Sequence, residues 1–413
     1  MMMLRMSKLY KNISSLKLLS NHLKNGAKNG SRVTLVQQQL LLQCRSFSDG
    51  GEQTSFSHQM SAWNIYSYGC DQMTLSKTTR VPSVLDPGDV LVDVHAASVN
   101  PIDVMMRDGY GEKLINLIRW QLGSKHFVGS EFPLILGRDF SGTVVSVGKN
   151  VISFQPGDEV FGVVGAHNQG SHAQFCVAST KELCHKPSTL THIEAASLPY
   201  VALTTWSALC SVGEITQQKA PNLRVFIQAG SGGIGTFAVQ LMSAWGAHVT
   251  STCSTDAIDL VRSLGANVVI DYKTQNEEDE LMQMDGFHLY LDVLGKKPSR
   301  NVLKNWCNAK YVTIKTPFLE DTDTHGIPAG FLRSAGSLGC NILENLKNGQ
   351  SYRWAFFVPD WRALKCIGQL VDNGQIKPVI DKVFPFHQLP HAYNHVEAGH
   401  SRGKTVIDVK CTE

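Results

Sequence analysis

VFIQAGSGGIG, residues 225–235, reads as an apolar strand that turns sharply into a helix. Gly230-Ser231-Gly232-Gly233-Ile234-Gly235 fits the pattern G-x-G-x-x-G, and the amphipathic run TFAVQLMSAWG follows it directly. Each glycine has a physical task in such a turn. The first lets the chain reverse tightly, Gly232 lets backbone N–H groups approach a pyrophosphate, and Gly235 lets helix and strand pack closely. The helix N-terminus then presents its positive end to the phosphates. Ser231, Gly232, Gly233, Ile234 and Gly235 are therefore expected to hold a dinucleotide.

Beyond this turn, strand and helix alternate through HVTSTC, AIDLVRSLG, VVIDY, HLYLDVLG and YVTIKT. That alternation predicts an α/β domain over residues 200–350, a doubly wound parallel sheet with helices on both faces. The end of its second strand decides between the nicotinamide dinucleotides, because an Asp or Glu there binds the ribose 2′-hydroxyl of NAD. Cys253 stands at that place. A thiol does not repel a 2′-phosphate, Ser254 beside it offers a hydrogen bond, and Tyr272 with Lys273 closes the following strand. NADPH is the expected cofactor. Asp256 argues the other way, unless it caps the helix beginning at Ala257.

Before the turn, residues 60–199 read as short strands split by Gly, Pro and Asn: VLVDVHAASVN, SGTVVSVG, DEVFGVV and AQFCVAS. These predict a β-rich, barrel-like unit. Residues 111–132, with LINLIRWQL, interrupt it as a loop or short helix over a cleft, or as a plain surface insertion. Residues 351–413 hold a helix, WRALKCIGQLVDNGQ, and then the strand-like VIDKVFPF and KTVIDVK, which return to the first unit. Two domains are also what 413 residues require, since one core rarely serves so many.

Charge is unevenly spread. The first 48 residues carry eight Lys or Arg and seven Ser, with no acidic residue. This is the pattern of a mitochondrial transit peptide, expected over residues 1–47 with cleavage near Phe47, and it directs the chain to the mitochondrial matrix. Taking the leader's eight positive charges from the whole chain's +3 leaves the remainder at −5. An acidic body offers no general attraction to nucleic acid, so no such partner is expected. Nor does any run of about 18 uncharged apolar residues predict a transmembrane segment. The ten cysteines include no C-x-x-C pair, which suits reduced thiols better than a disulfide framework or a zinc ribbon.

With both halves read, the chain resembles the medium-chain dehydrogenase/reductases of the quinone oxidoreductase branch. The resemblance rests on VHAASVNPIDVMMRDGY, FPLILGRDFSGTVVSVGKNV, FQPGDEVFG, AASLPYVALTTWSAL and AGSGGIGTFAVQL. More narrowly, SVNPID, LPYVALT, VIDYK, YRWAFF and GHSRGKTVI resemble a mitochondrial NADPH oxidoreductase group linked to ubiquinone metabolism and to a reticulon-type protein partner. The resemblance implies a GroES-like catalytic domain beside a Rossmann domain, with the cofactor in the cleft between them. It carries over as cofactor contacts Ser231, Gly233 and Ile234, then Ser254, Tyr272 and Ile314, and also Ala355, Phe357, His400, Ser401 and Arg402.

Zinc-dependent relatives of that superfamily use a Cys and a G-H-E motif, where this chain has Gly137-Arg138-Asp139 and no cysteine between Cys70 and Cys176. No metal is expected. Without a Lewis acid, the expected chemistry is hydride transfer from NADPH to a quinone-like acceptor that takes electrons readily. Asn100, Asp103 and Arg107 are candidates for the substrate side, although Asp103 equally suits bracing the turn after Pro101. Thr204 and Thr205 either approach the nicotinamide or simply begin a helix. Two other readings stay open: reduction of an enoyl thioester, and an NADPH-binding partner protein without turnover. The leader is tested by fusing residues 1–50 to a fluorescent reporter. The expected signal is mitochondrial, and a cytosolic one would remove the transit-peptide assignment.

Overall fold

Val225, Phe226 and Ile227 are fully buried, and the strand they form lies in the middle of a six-stranded sheet. The computed structural model describes residues 58–84, 86–122, 131–298 and 300–411. The expected transit peptide therefore falls outside the described residues. Numbered along the chain, β1 (Gln59–Ile65), β2 (Met73–Arg80), β3 (Asp89–Val99), β4 (Leu134–Ile135), β5 (Asp139–Val147), β6 (Glu159–Val163), β7 (Phe175–Ser179) and β8 (Leu183–His185) build the first domain. The second uses β9 (Arg224–Ile227), β10 (His248–Cys253), β11 (Val268–Asp271), β12 (Leu289–Asp292), β13 (Lys310–Thr313) and β14 (Ser351–Trp354). The chain then returns to the first through β15 (Ile380–Pro385) and β16 (Lys404–Asp408).

The second sheet has the order β11-β10-β9-β12-β13-β14, and every ladder in it is parallel. Its strand order reverses at β9, so the carboxyl end of β9 opens onto the switch point where ligands of such sheets bind. The glycine-rich turn sits there. One boundary differs from the sequence expectation, because the sheet runs past residue 350. SYRW is short and mostly half-buried, which is how an edge strand reads when one side has no neighbour. The helix Trp361–Asp372 also belongs to the second core, through Ala363, Leu364, Ile367 and Val371.

The first domain pairs its strands as β15-β16-β3-β5-β6-β8 with β7 also on β3, beside a smaller sheet β2-β1-β4. β16 lies antiparallel to β3, Thr405 opposite Val99, so the C-terminal strand completes this sheet. Val90, Val92, Val94, Phe140, Val160 and Ile407 fill its interior. Complete burial of such side chains contributes roughly 1.5–3 kcal/mol each. The interruption at residues 111–132 contains a helix, Glu112–Leu122, while residues 123–130 lie outside the described ones. Asp323 of the second domain accepts hydrogen bonds from Gly111 N–H at 2.6 Å and Lys113 N–H at 3.1 Å. A carboxylate from one domain thus caps a helix of the other. Among the described residues no helix is long and apolar enough to cross a membrane.

Gly235 shows how tightly strand and helix meet, since a Cβ there would lie 2.0 Å from the carbonyl oxygen of Ala229. Gly336, on the helix Ile327–Leu346, has nothing within 4 Å of the same position. Gly235→Ala is expected to destabilise the fold by roughly 2–3 kcal/mol through overpacking. Gly336→Ala should stabilise it by about 0.5–1 kcal/mol through helix propensity. Thermal melts of the two variants check the contrast.

Candidate active site

The cofactor side begins at the glycine turn. Ala229 adopts a φ of 55°, and a Cβ on Gly230 would lie 2.3 Å from Ser251 Oγ. At Gly232 the nearest atom to such a Cβ is 3.6 Å away, which leaves the face of the turn open as a cradle. The helix Gly233–Ala244 starts there with Gly232 as its N-cap. Residues 400–403 run alongside: Gly403 N–H donates to Ser231 C=O at 2.9 Å, and Gly232 and Gly403 form a bridge. Gly403 is required by this approach, having a φ of 94° and Val379 C=O only 2.2 Å from where a Cβ would be. Ser401 Oγ is buried without a hydrogen-bond partner.

At the end of β10, Tyr272 N–H donates to Cys253 C=O at 3.1 Å, bringing Tyr272 beside Ser254. Arg402 reaches the same place, its Nη2 lying 3.5 Å from Ser254 Oγ and hydrogen-bonded to Asp256. The backbone of Tyr272 and the guanidinium of Arg402 therefore both reach the Cys253–Ser254 end of β10. Asp256 corrects one expectation: Ser254 occupies the N-cap of Thr255–Ala257, while the Asp256 carboxylate serves Arg402. Farther along the sheet edge, Ile314 N–H donates to Asp292 C=O and Ala355 N–H to Thr313 C=O. Phe357 stacks on Tyr200, on the helix Pro199–Trp206 that links the two domains, with ring centroids 4.5 Å apart and planes 20° apart.

The residues expected on the substrate side gather around a buried carboxylate. Asp139 Oδ2 accepts from Ser98 Oγ at 2.5 Å, Asn100 Nδ2 at 2.8 Å and Lys404 Nζ at 3.3 Å; Oδ1 accepts from Tyr200 N–H at 2.6 Å. Lys404 Nζ also donates to Asn100 Oδ1 at 2.5 Å. Asn100 thus belongs to the cluster, as N-cap of the helix Pro101–Arg107. Asp103 accepts from Asn100 N–H through Oδ2 at 2.8 Å, so it does brace the turn after Pro101. Its other oxygen, Oδ1, lies 3.7 Å from Arg138 Nε and makes no hydrogen bond. Arg138 spends Nη1 on Val164 C=O and leaves Nε and Nη2 unpartnered.

Arg107 is directed elsewhere. Its guanidinium bonds Asp108 and Glu397, fastening its helix to Leu389–Glu397. Thr204 and Thr205 do not begin a helix; they lie near the C-terminal end of Pro199–Trp206. Thr204 Oγ1 donates to Tyr200 C=O, whereas Thr205 Oγ1 is buried without a partner. Behind the cluster, His172 contacts Ser98 C=O and the Tyr393 hydroxyl, each at 3.2 Å. Burial holds the His172 imidazole down at about 3, so it stays neutral. Burial likewise raises the Tyr200 phenol well above its ordinary value.

Sequence reasoning passed over Lys404, Tyr200, His172 and the hub role of Asp139. Lys404 alone carried a signal, a lysine opening the otherwise apolar-patterned strand KTVID, every residue of which is buried except the last. Among the described residues no three His, Cys, Asp or Glu are grouped to hold a metal ion. A cavity of about 350 Å³ lined by Leu281, Met284, Val302, Leu303 and Cys307 lies by the start of β12, at the sheet end opposite the glycine turn.

Burial pushes the Asp103 carboxyl up to about 6, against the pull of Arg138. An unfolded Asp titrates near about 3.9, so the native chain holds this proton more tightly over the window from about pH 4 to 6. Its contribution to stability is complete below that window and lost as pH rises through it. Relative to the parent, Asp103→Asn should therefore gain on the order of 2–3 kcal/mol between pH 4 and 7, read from denaturant unfolding at both pH values. A difference flat with pH would exclude the raised carboxyl.

Two family descriptions match the chain: "Alcohol dehydrogenase GroES-like domain" over residues 86–209 and "Zinc-binding dehydrogenase" over residues 264–407. The chain is 48% identical over 354 residues to the Homo sapiens protein "NAD(P)H oxidoreductase RTN4IP1, mitochondrial", covering 85% of this chain and 89% of that one. It is 37% identical to "Reticulon-4-interacting protein 1, mitochondrial" of Caenorhabditis elegans, covering 80% and 91%. Among solved structures, the quinone oxidoreductase from Coxiella burnetii superposes with a TM-score of 0.66 at 26% identity, covering 85% and 99%. A nicotinamide cofactor is common to this group, and the open cradle at Gly232 and the unpartnered Ser401 hydroxyl fit one. The chain belongs to the medium-chain dehydrogenase/reductase superfamily, in the family of the mitochondrial NAD(P)H oxidoreductases.

Proposed function

We propose that this protein is an NADPH-dependent, zinc-independent oxidoreductase of the mitochondrial matrix that passes hydride to a quinone-like acceptor. The observation that carries the cofactor choice is the meeting of Ser254, Tyr272 and Arg402 at the end of β10, where Cys253 stands in place of an acidic residue. A 2′-phosphate there meets a hydroxyl donor, a phenol and a guanidinium, whereas a 2′-hydroxyl finds no carboxylate at the strand end. Ser231, Gly232, Gly233, Ile234 and Gly235 take the pyrophosphate, with His400 and Ser401 beside them. Ile314, Ala355 and Phe357 line the path toward the first domain. When bound, the cofactor supplies the hydride.

The chain's own residues fix the acceptor side. Asn100 is held from three directions, by Asp139, Lys404 and its own N–H to Asp103, which orients its side chain before any substrate arrives. Arg138, where a zinc ligand stands in metal-dependent relatives, supports the zinc-independent reading. Names and titles among the relatives and solved structures, quinone oxidoreductase and reticulon-interacting protein, support the acceptor class and a reticulon-type partner. The basic leader supports import into the matrix, and the resemblance supports a role in ubiquinone metabolism.

Purified protein mixed with NADPH and a panel of quinones and enoyl thioesters is expected to consume NADPH with quinones. Absorbance of the reduced cofactor follows the reaction. Thermal shift should be larger with NADPH than with NADH, since a ligand at 100 times its Kd adds about 2.7 kcal/mol. A larger shift with NADH, or turnover confined to thioesters, overturns this reading.

A further inference from the structure

Among the described residues, Asp256 is the one acidic side chain in a salt bridge with Arg402. The pair joins the two domains, because Arg402 precedes β16 while Asp256 follows β10. The nitrogen of Arg402 nearest Ser254, Nη2, is also the one bonded to Asp256. The hydrogen bonds from Ser254 and Arg402 hold the Asp256 carboxyl below its usual range, so it is ionised at neutral pH. A 2′-phosphate arriving at Ser254 therefore meets a hydroxyl and an arginine donor that Asp256 already engages, with that second anion beside it.

We propose that Asp256 is a specificity-setting counter-ion: it competes with the 2′-phosphate for Arg402 and weakens binding of NADPH but not of NADH. The inference rests on the NADPH reading above. Side-chain exposure is 67% for Asp256 and 29% for Arg402, so solvent screens the competition and keeps it modest. Asp256 thus trims the preference for a phosphorylated dinucleotide without abolishing it. It also keeps Arg402 drawn across to the nucleotide domain when no phosphate is there.

The test is the dissociation constant of NADPH and of NADH, from titrating nicotinamide fluorescence, for the parent protein, Asp256→Asn and Arg402→Gln. Asp256→Asn is expected to tighten NADPH by about fivefold in low salt, with the gain shrinking in high salt, and to leave NADH unchanged. Arg402→Gln should weaken NADPH selectively. Unchanged or weaker NADPH binding in Asp256→Asn overturns the proposal, as does an equal change for both dinucleotides, which would mean the residue merely shapes the ribose pocket. If the parent binds NADH as tightly as NADPH and Arg402→Gln alters neither, the NADPH reading itself fails, and that is seen without the Asp256 variant. Melting curves without cofactor verify that each variant is folded.

Discussion

The carboxylate of Asp139 is the constraint on which the rest of the site depends. Fully buried, it is tolerable only when its oxygens are hydrogen-bonded and its charge is matched. Four donors do this, and they come from separate parts of the chain: Ser98 and Asn100 at the end of β3, Tyr200 N–H on the helix leading to the second domain, and Lys404 at the start of β16. The chain must therefore cross to the second domain and return before this group is satisfied. The C-terminal strand is fixed in register by polar chemistry as well as by its ladder with β3.

The same constraint ties the glycine turn to the Asp139 cluster. Lys404 Cδ lies 3.1 Å from where a Cβ on Gly233 would sit, and the adjoining Gly403 is hydrogen-bonded to Ser231. A displacement of the glycine turn is thus felt at Lys404, and through it at Asn100. Buried ion pairs rarely add much net stability compared with apolar residues of equal volume, but they penalise misregistered alternatives heavily. Here the penalty falls on any arrangement in which residues 400–408 leave the glycine turn. Arg402, two positions before Lys404, is positioned over Ser254 by that same anchoring.

The glycine turn was legible in the sequence because its physics is local: strand, turn and helix occupy consecutive residues, and each glycine answers to a nearby atom. The order of strand and helix in the second domain was legible for the same reason, since buried apolar runs such as VFI and LYLD announce themselves. β14 was not, being a four-residue edge with one buried side chain. The substrate-side cluster was only half visible. Asn100 and Asp103 stood out because they follow a strand and flank a proline, and Arg138 with Asp139 stood out only as the absence of a zinc motif. Lys404 lies 265 residues from Asp139, and nothing in either neighbourhood names the other.

Arg138 shows how one buried cation reaches beyond its own position. A guanidinium in a dry interior needs its donors occupied, yet Nε and Nη2 have no hydrogen-bond partner and Asp103 Oδ1 stands 3.7 Å off, equally unsatisfied. Hydrogen bonding at that separation is incomplete, while Coulomb attraction persists. Asp103 is therefore pulled two ways, toward its charge by Arg138 and away from it by burial. Asp139, one residue along from Arg138, has every donor it needs. The two carboxylates differ because donors from three chain segments converge on Asp139, whereas Asp103 has one hydrogen bond, from Asn100 N–H, and feels Arg138 and Lys404 only at longer range. How fully each carboxylate is hydrogen-bonded is thus set by how many segments converge on it, a property of the fold as a whole.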